Sequence, residues 1–277
     1  MVCAEKNRNA GTLAMKILVC VKQVYDSPET LVFDESTGQV TFGPHTVFRM
    51  NRYDEYALEE ALRIRERLGG AVIDAISVGP ARAAKTIRRA MELGADHGIH
   101  VQTGDIDSPG AFERAHLIAA AARGRGYDLV LAGVMAEDDM ESQVGPLLAA
   151  VLEYGCATGV IFEEISGNGR EIAVEREVEG GSRECLTLAL PCVLTIQSGI
   201  NTPRYPALSH VLRARSSELE CIAASSLAVP PPAQSLVRIL PPAQGRKGEI
   251  IEGTAVEKAD KLIHILREHS LLPRQGA

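Results

Sequence analysis

The chain has 277 residues, with 29 basic and 36 acidic side chains and a net charge of −7. Forty-five per cent of it is apolar, and a chain this long buries about three quarters of its unfolded surface without a disulfide or metal staple. The acidic balance argues against nucleic-acid binding, whose affinity comes mostly from neutralised phosphates, and 5 Phe, 6 Tyr and no Trp offer little for stacking on bases.

Residues 1–14 lack the apolar core of a secretory signal and are expected to be a disordered leader, with Met15 as an alternative start. The apolar run Lys16 to Val24 reads as a buried strand. Two β-rich runs within Thr30–Phe42 flank Ser36-Thr37-Gly38 and predict a hairpin. From Tyr53 to Gly70, the residues Ala57, Leu58, Ala61, Leu62, Ile64 and Leu68 make one helical face, stopped by the Gly pair. Ala71–Gly79 is a second buried strand, followed by a helix with Pro80 at its start and Gly94 at its end. A strand at 97–102, a helix over about 109–123 and a strand at Asp128–Gly133 come next. A polar loop, Val134 to Ser142, leads into a helix opening at Gln143-Val144-Gly145. Strands alternating with helices predict a doubly wound, mostly parallel α/β sheet with flavodoxin-like layering. Continuous apolar strands support burial on both faces.

The pattern then changes. Glu171–Val178 and Arg183–Leu190 alternate around Glu179-Gly180-Gly181, a hairpin with one wet face. The uncharged stretch Cys185–Pro203 approaches the length of a membrane span, but Pro191 and a polar second half favour two buried strands. After Gly199 regularity is expected to collapse into a Pro-rich arm ending in an amphipathic helix near 256–267, with Ala259, Leu262, Ile263 and Leu266 on one side. Such an arm builds no core alone and is expected to lie on a partner chain. The domain division is therefore 1–14 leader, 15–199 nucleotide-binding domain and 200–277 docking loop and arm.

Catalytic constellations are missing. No P-loop, no G-x-G-x-x-G after the first strand and no G-x-S-x-G occur, which argues against a hydrolase or transferase. His97 and His100 flank a strand and read as surface or satisfied residues. Six scattered cysteines, Cys3, Cys20, Cys156, Cys185, Cys192 and Cys221, form no C-x-x-C and read as reduced thiols of a cytoplasmic protein. What remains is geometry. Ligands of open α/β sheets sit beyond the C-terminal strand ends, here Cys20-Val21-Lys22, Ser77-Val78-Gly79 and Ala132-Gly133. The helix start at Gln143 could hold a phosphate on its free N–H groups. The same residues equally describe an ordinary helix cap beside a solvated acidic loop, and these features alone leave the two open.

Val174 to Thr195, VEREVEGGSRECLTLALPCVLT, resembles the signature of the electron transfer flavoprotein β subunit: Arg176, then Glu179-Gly180-Gly181, Glu184, Leu186 and Pro191 at the family's spacing. KILVCVKQV, MNRYDEYALEEALRIRE, ISVGPARAAKTIRRAMELGADHGIHV and NTPRYPALSHVLRAR are similar too, covering roughly residues 15–270 in order. The resemblance implies a heterodimer with an α subunit that holds most of a redox FAD. It also implies an adenine nucleotide in β: AMP, or a second FAD in the electron-bifurcating group, with NADH as hydride donor. Implied cofactor-binding residues are Cys20, Val21, Asn51, Ser77, Val78, Gly79, Gly133, Asp138, Ser142, Gln143 and Val144. Leu208 matches the residue that docks acyl-CoA dehydrogenases, although Arg213, Arg215 and Ser216-Ser217-Glu218 replace the family's lysines and so leave the dehydrogenase open. The chain departs from the pattern at Arg52, Met140 and Glu141, which leaves the nucleotide's identity open. Gln143-Val144-Gly145-Pro146, Tyr205-Pro206 and the GEIIEG run favour FAD. A rival, a stand-alone ATP- or AMP-binding stress-type sensor, fits the α/β core but leaves the hairpin and arm unexplained.

Overall fold

The computed structural model describes residues 15–27, 31–34, 39–104, 109–234 and 250–272, with 237, 239 and 248 besides. The expected leader lies outside them. The first strand, β1 (Met15–Cys20), ends sooner than the apolar run suggests, and β2 (Gln23–Tyr25) is separate. The expected single strand Lys16–Val24 is therefore two. The cause is Lys22: its N–H donates to Asp54 Oδ2 at 2.7 Å and its C=O accepts from Asn51 N at 2.9 Å, so its backbone serves the next helix instead of a neighbouring strand.

β3 (Leu31–Asp34) and β4 (Gln39–Phe42) pair as a hairpin, whose turn at Ser36–Gly38 lies outside the described residues. β5 (Phe48–Met50) pairs antiparallel with β2. In α1 (Arg52–Leu68) the expected face is buried except Leu68, which is 46% exposed in the last turn. Gly69 ends the helix at φ 72°, a left-handed angle that glycine adopts freely. β6 (Ala71–Gly79), α2 (Ala84–Leu93, after a tight turn at Ala81–Ala83), β7 (His97–Gln102), α3 (Ala111–Ala122), β8 (Leu129–Gly133) and α4 (Val144–Leu152) follow the predicted alternation.

Of the remaining five strands, β9, β11 and β13 depart from expectation. β9 (Gly155–Ile165) was not anticipated, because its small residues and mixed burial show no period. β10 (Glu171–Val178) and β11 (Ser182–Ala189) form the predicted hairpin. β11 is an exposed edge strand, so of the two buried strands expected around Pro191 only β12 (Cys192–Ile196) is buried. Regularity also resumes after Gly199. α5 (Leu208–Ser216) packs Ala214 into the core, and β13 (Glu220–Ala223) pairs with β7. The Pro-rich composition hides that strand, since it is four residues long and its side chains are mostly exposed.

The nine-stranded sheet has the order β11-β10-β9-β12-β8-β1-β6-β7-β13. Every pair from β9 to β13 across it is parallel, and β10 runs antiparallel to both its neighbours. β1 lies between β8 and β6, with Ile17 and Val19 facing α1 and α2, and Leu18 and Cys20 facing α3 and α4. Each fully buried side chain of this kind contributes about 2 kcal/mol over its exposed state. His97 is a surface residue on Asp74, and His100 is buried and satisfied by Gly79 O at 3.1 Å, as their positions suggested.

The described residues divide into a large unit, running to Val237, and a small one made of Phe33, Asp34, Gln39 and the segment after Val237. The small unit carries α6 (Ala255–Glu268), opened by a capping box between Thr254 and Glu257. No residue of α6 is buried, and Val256, Leu262 and Ile263 are exposed apolar positions. Among the described residues no helix is long and apolar enough to cross a membrane.

Leu131, fully buried in β8, tests the core. Leu131→Ala is expected to cost about 2–5 kcal/mol in urea unfolding, whereas Leu68→Ala leaves the midpoint nearly unchanged.

Candidate functional site

Counted from β1, chain order runs outward to β6, β7 and β13 on one side and to β8 on the other. At such a reversal the connections leave neighbouring strand ends toward opposite faces, and a crevice opens between them. The chain after β1 reaches α1 on one face by way of β2 to β5, and β8 leads into α4 on the other. The crevice is lined by Cys20, Val21 and Lys22 at and after the end of β1, Ile76 and Val78 of β6, and 132–136 at and after the end of β8. Arg114 and Ile118 of α3, Asn51 and Asp54 at the start of α1, and Asp139 with 141–145 complete it.

Sequence-expected residues fall in three places. Cys20, Val21, Asn51, Val78, Gly133, Ser142, Gln143 and Val144 line the crevice. Gly79 lies in an adjoining recess with Arg82, and Lys22, Val78 and Arg114 line both spaces. Ser77 and Asp138 do not line the crevice. Ser77 is buried, and its Oγ has no hydrogen-bond partner among the described residues. Asp138 Oδ1 instead receives the Lys22 ammonium at 2.5 Å. Leu208 is elsewhere, on α5.

The loop after β8 is held by its own charges. Lys22 Nζ also donates to Asp139 Oδ2 at 2.7 Å, and Arg114 Nη1 lies 3.5 Å from that oxygen. Burial works to raise the Asp139 carboxyl, but Lys22 and the Glu141 N–H outweigh it and hold it below its ordinary value. Burial likewise opposes Glu137, yet Arg49 and the Arg52 N–H hold it low. That Arg52 N–H lies 3.1 Å from Glu137 Oε2, a bond that only a residue with a backbone N–H can make. Asn51 is fully buried; its Nδ2 donates to Met135 O at 2.8 Å and its Oδ1 accepts from Glu137 N at 3.1 Å. Met140 and Ser142 take left-handed angles, φ 54° and 55°, so the backbone is strained where it meets the helix.

α4 opens without a side-chain cap and without an acid in its first turn. Its first N–H groups and partial positive charge therefore face the crevice unopposed, which suits an anion. Ile76, Val78, Ile118 and Ala132 supply an apolar wall against which a base could lie. Glu141 is exposed at the rim, where solvent screens its charge. These groups fit an adenine nucleotide. Lys22, Asp54, Arg114, Asp139 and Gly145 also line the site. Sequence places Lys22 at a strand end and Gly145 at the helix start, whereas Asp54, Arg114 and Asp139 need the helix and loop register.

A second polar surface braces α5. Asn201 Nδ2 donates to Tyr56 O and Glu60 Oε2, Arg204 grips Glu59 and Glu66, and Arg88 Nη1 donates to the C-terminal carbonyls of Ala214 and Ser217. Tyr205, Leu208 and Leu212 are left 93%, 74% and 56% exposed.

A family model described as Electron transfer flavoprotein domain matches residues 40–227. The chain is 32% identical over 262 residues to "Electron transfer flavoprotein subunit beta" of Bacillus subtilis (strain 168), across 92% of this chain and 99% of that one. It is 36% identical over 244 residues to the protein of the same name from Bos taurus, across 87% and 94%. "Electron transfer flavoprotein subunit beta, mitochondrial" of Arabidopsis thaliana is 34% identical over 257 residues, across 92% and 99%.

Gly145 lets α4 approach β12: a Cβ there would come within 2.2 Å of Thr195 Cγ2. Gly145→Ala is expected to displace the helix start and cost about 1–3 kcal/mol in urea unfolding. Gly167→Ala, with open space around it, is the control that leaves the midpoint unmoved.

Proposed function

The chain belongs to the electron transfer flavoprotein β-subunit family, and on that premise we propose that it pairs with an α subunit to pass electrons through flavin, holding an adenine nucleotide in the crevice. The observation that carries the nucleotide reading is the uncapped start of α4 opening onto an apolar crevice at the reversal of strand order. The cofactor-binding residues on this reading are Cys20, Val21, Asn51, Ser77, Val78, Gly79, Gly133, Asp138, Ser142, Gln143 and Val144. Those that line the crevice act directly. Asp138 holds Lys22 in place, and Ser77 belongs to the strand end beneath.

FAD is the preferred nucleotide over AMP. The Gln143-Val144-Gly145-Pro146 motif supports it. So does the adjoining recess, which shares Lys22, Val78 and Arg114 with the crevice and extends it past Gly79 toward a ligand longer than a mononucleotide. Flavin supplies the redox chemistry when bound. The work of this chain's residues is to position the ligand, to cover it with the 134–143 loop and to keep its phosphates paired. With AMP the same residues would hold a structural ligand that stabilises the fold by mass action. The exposed apolar positions of α6 are assigned to the α-subunit surface, and Leu208, with Tyr205 and Leu212, to a flavin dehydrogenase of the acyl-CoA type. With FAD in the crevice, NADH is the donor to test.

Denaturing the co-purified heterodimer and separating its nucleotides tests this reading. Two FAD per heterodimer and no AMP is the expected result. One FAD and one AMP would give the crevice to AMP, and a stable, colourless chain with no partner and no flavin would overturn the flavoprotein reading. Leu208→Ala is expected to slow electron exchange with the dehydrogenase about tenfold, since one exposed anchor often carries much of a weak interface. Its nucleotide content should not change.

A further inference from the structure

One carboxylate in the crevice has no role in the family resemblance. Asp54, in the first turn of α1, is buried, at 5% exposure. Its Oδ2 accepts from Lys22 N at 2.7 Å and its Oδ1 from Gly133 N at 3.1 Å. Gly133 is the last residue of β8, and Lys22 lies two residues past the end of β1, the adjacent strand across which the chain order reverses. A single side chain from α1 thus ties together the two strand ends that form the crevice floor. Gly133 is shaped to this tie: a Cβ there would lie 2.5 Å from Asp54 Oδ1 and 2.6 Å from Tyr53 Cβ.

We propose that Asp54 is a positioning residue of the nucleotide site, its ionised carboxylate setting the spacing of the β1 and β8 ends on which the ligand rests. The inference rests on the nucleotide reading of the crevice. Both oxygens must accept for the tie to hold, and protonation makes one of them a hydroxyl, an uncharged and weaker acceptor for the N–H it faces. Burial pushes the Asp54 carboxyl up to about 7, against the hydrogen bonds from Lys22 N, Asn51 and Gly133 N and the charge of Lys22. The tie therefore loosens within the physiological range. The charged and titratable groups around it are the Lys22 ammonium after β1 and the Cys20 thiol of β1, which burial and then Asp54 itself keep protonated. Arg114 of α3 and Asp139 and Glu141 of the loop line the same crevice.

The test is equilibrium binding of FAD, and in parallel AMP, to the heterodimer depleted of its β-site nucleotide, at pH 6, 7 and 8, for wild type and Asp54→Asn. FAD has no phosphate titrating in this range, and AMP is read only as the ratio of the two proteins. If only the ionised tie binds, wild-type affinity for the ligand falls about tenfold from pH 8 to pH 6. Asp54→Asn should bind weakly at pH 8 and show no slope. Equal affinities and slopes in both proteins would overturn the positioning role while leaving the nucleotide reading intact. Affinity that rises toward pH 6 would show that the carboxylate acts only as a repelling charge, and would overturn it too. Binding of neither FAD nor AMP to either protein would sink both readings. Should Asp54→Asn fail to fold, the wild-type slope alone decides.

Discussion

β1 is bonded on both edges, to β6 and β8, and buried on both faces. A strand so enclosed offers its polar backbone to nothing but its neighbours, and buried backbone groups must all be paired. Its chain end is then the first place where a backbone N–H can be used differently. Lys22 N goes to a carboxylate, Lys22 O to Asn51 N, and Val21 N to Ile76 O. The crevice, its floor and the helix α1 that roofs one side all follow from how that one strand must stop.

The acidic loop after β8 would be a poor neighbour for a phosphate if its charges were loose. They are not. Asp138 and Asp139 close on Lys22, and Glu137 closes on Arg49 and the Arg52 N–H. The acids act as fasteners that bring the loop down onto α1 and β1, and the positive end of α4 is left as the unopposed feature of the wall. This reconciles a net charge of −7 with an anion-binding reading, because binding depends on local field and not on the sum over the chain.

Much of the layered core was legible because it obeys simple periods. Ala71–Gly79 reads as a strand because every position but Asp74 is apolar or small enough to be buried on two faces, and α1 reads as a helix because Ala57, Leu58, Ala61 and Leu62 recur on one side. β9 was not legible: it sits next to the edge hairpin, bends with a register shift opposite Leu194 and Ile196, and uses Gly155 and Gly159 where a strand normally carries side chains. β13 was hidden by its exposure and its Pro-rich surroundings. At the site, strand ends and the helix start could be placed from sequence, since both follow from the order of elements. Which side chains turn inward could not. Asp138 and Asp139 are neighbours of the same chemistry, yet only Asp139 lines the crevice, and Arg114 reaches it from a helix whose rotation the sequence leaves free.

The bracing of α5 has a consequence for any chain that lands on it. Residues 201 and 204 are pinned to α1, Arg88 holds the helix's last carbonyls, and β13 anchors the segment beyond to the sheet. The backbone beneath Leu208 has therefore already given up its freedom during folding. A binding partner does not have to order it again, a cost that usually consumes about 1–2 kcal/mol for each residue newly fixed. A footprint as small as one leucine and its two apolar neighbours can then suffice for recognition while staying shallow enough to be left quickly.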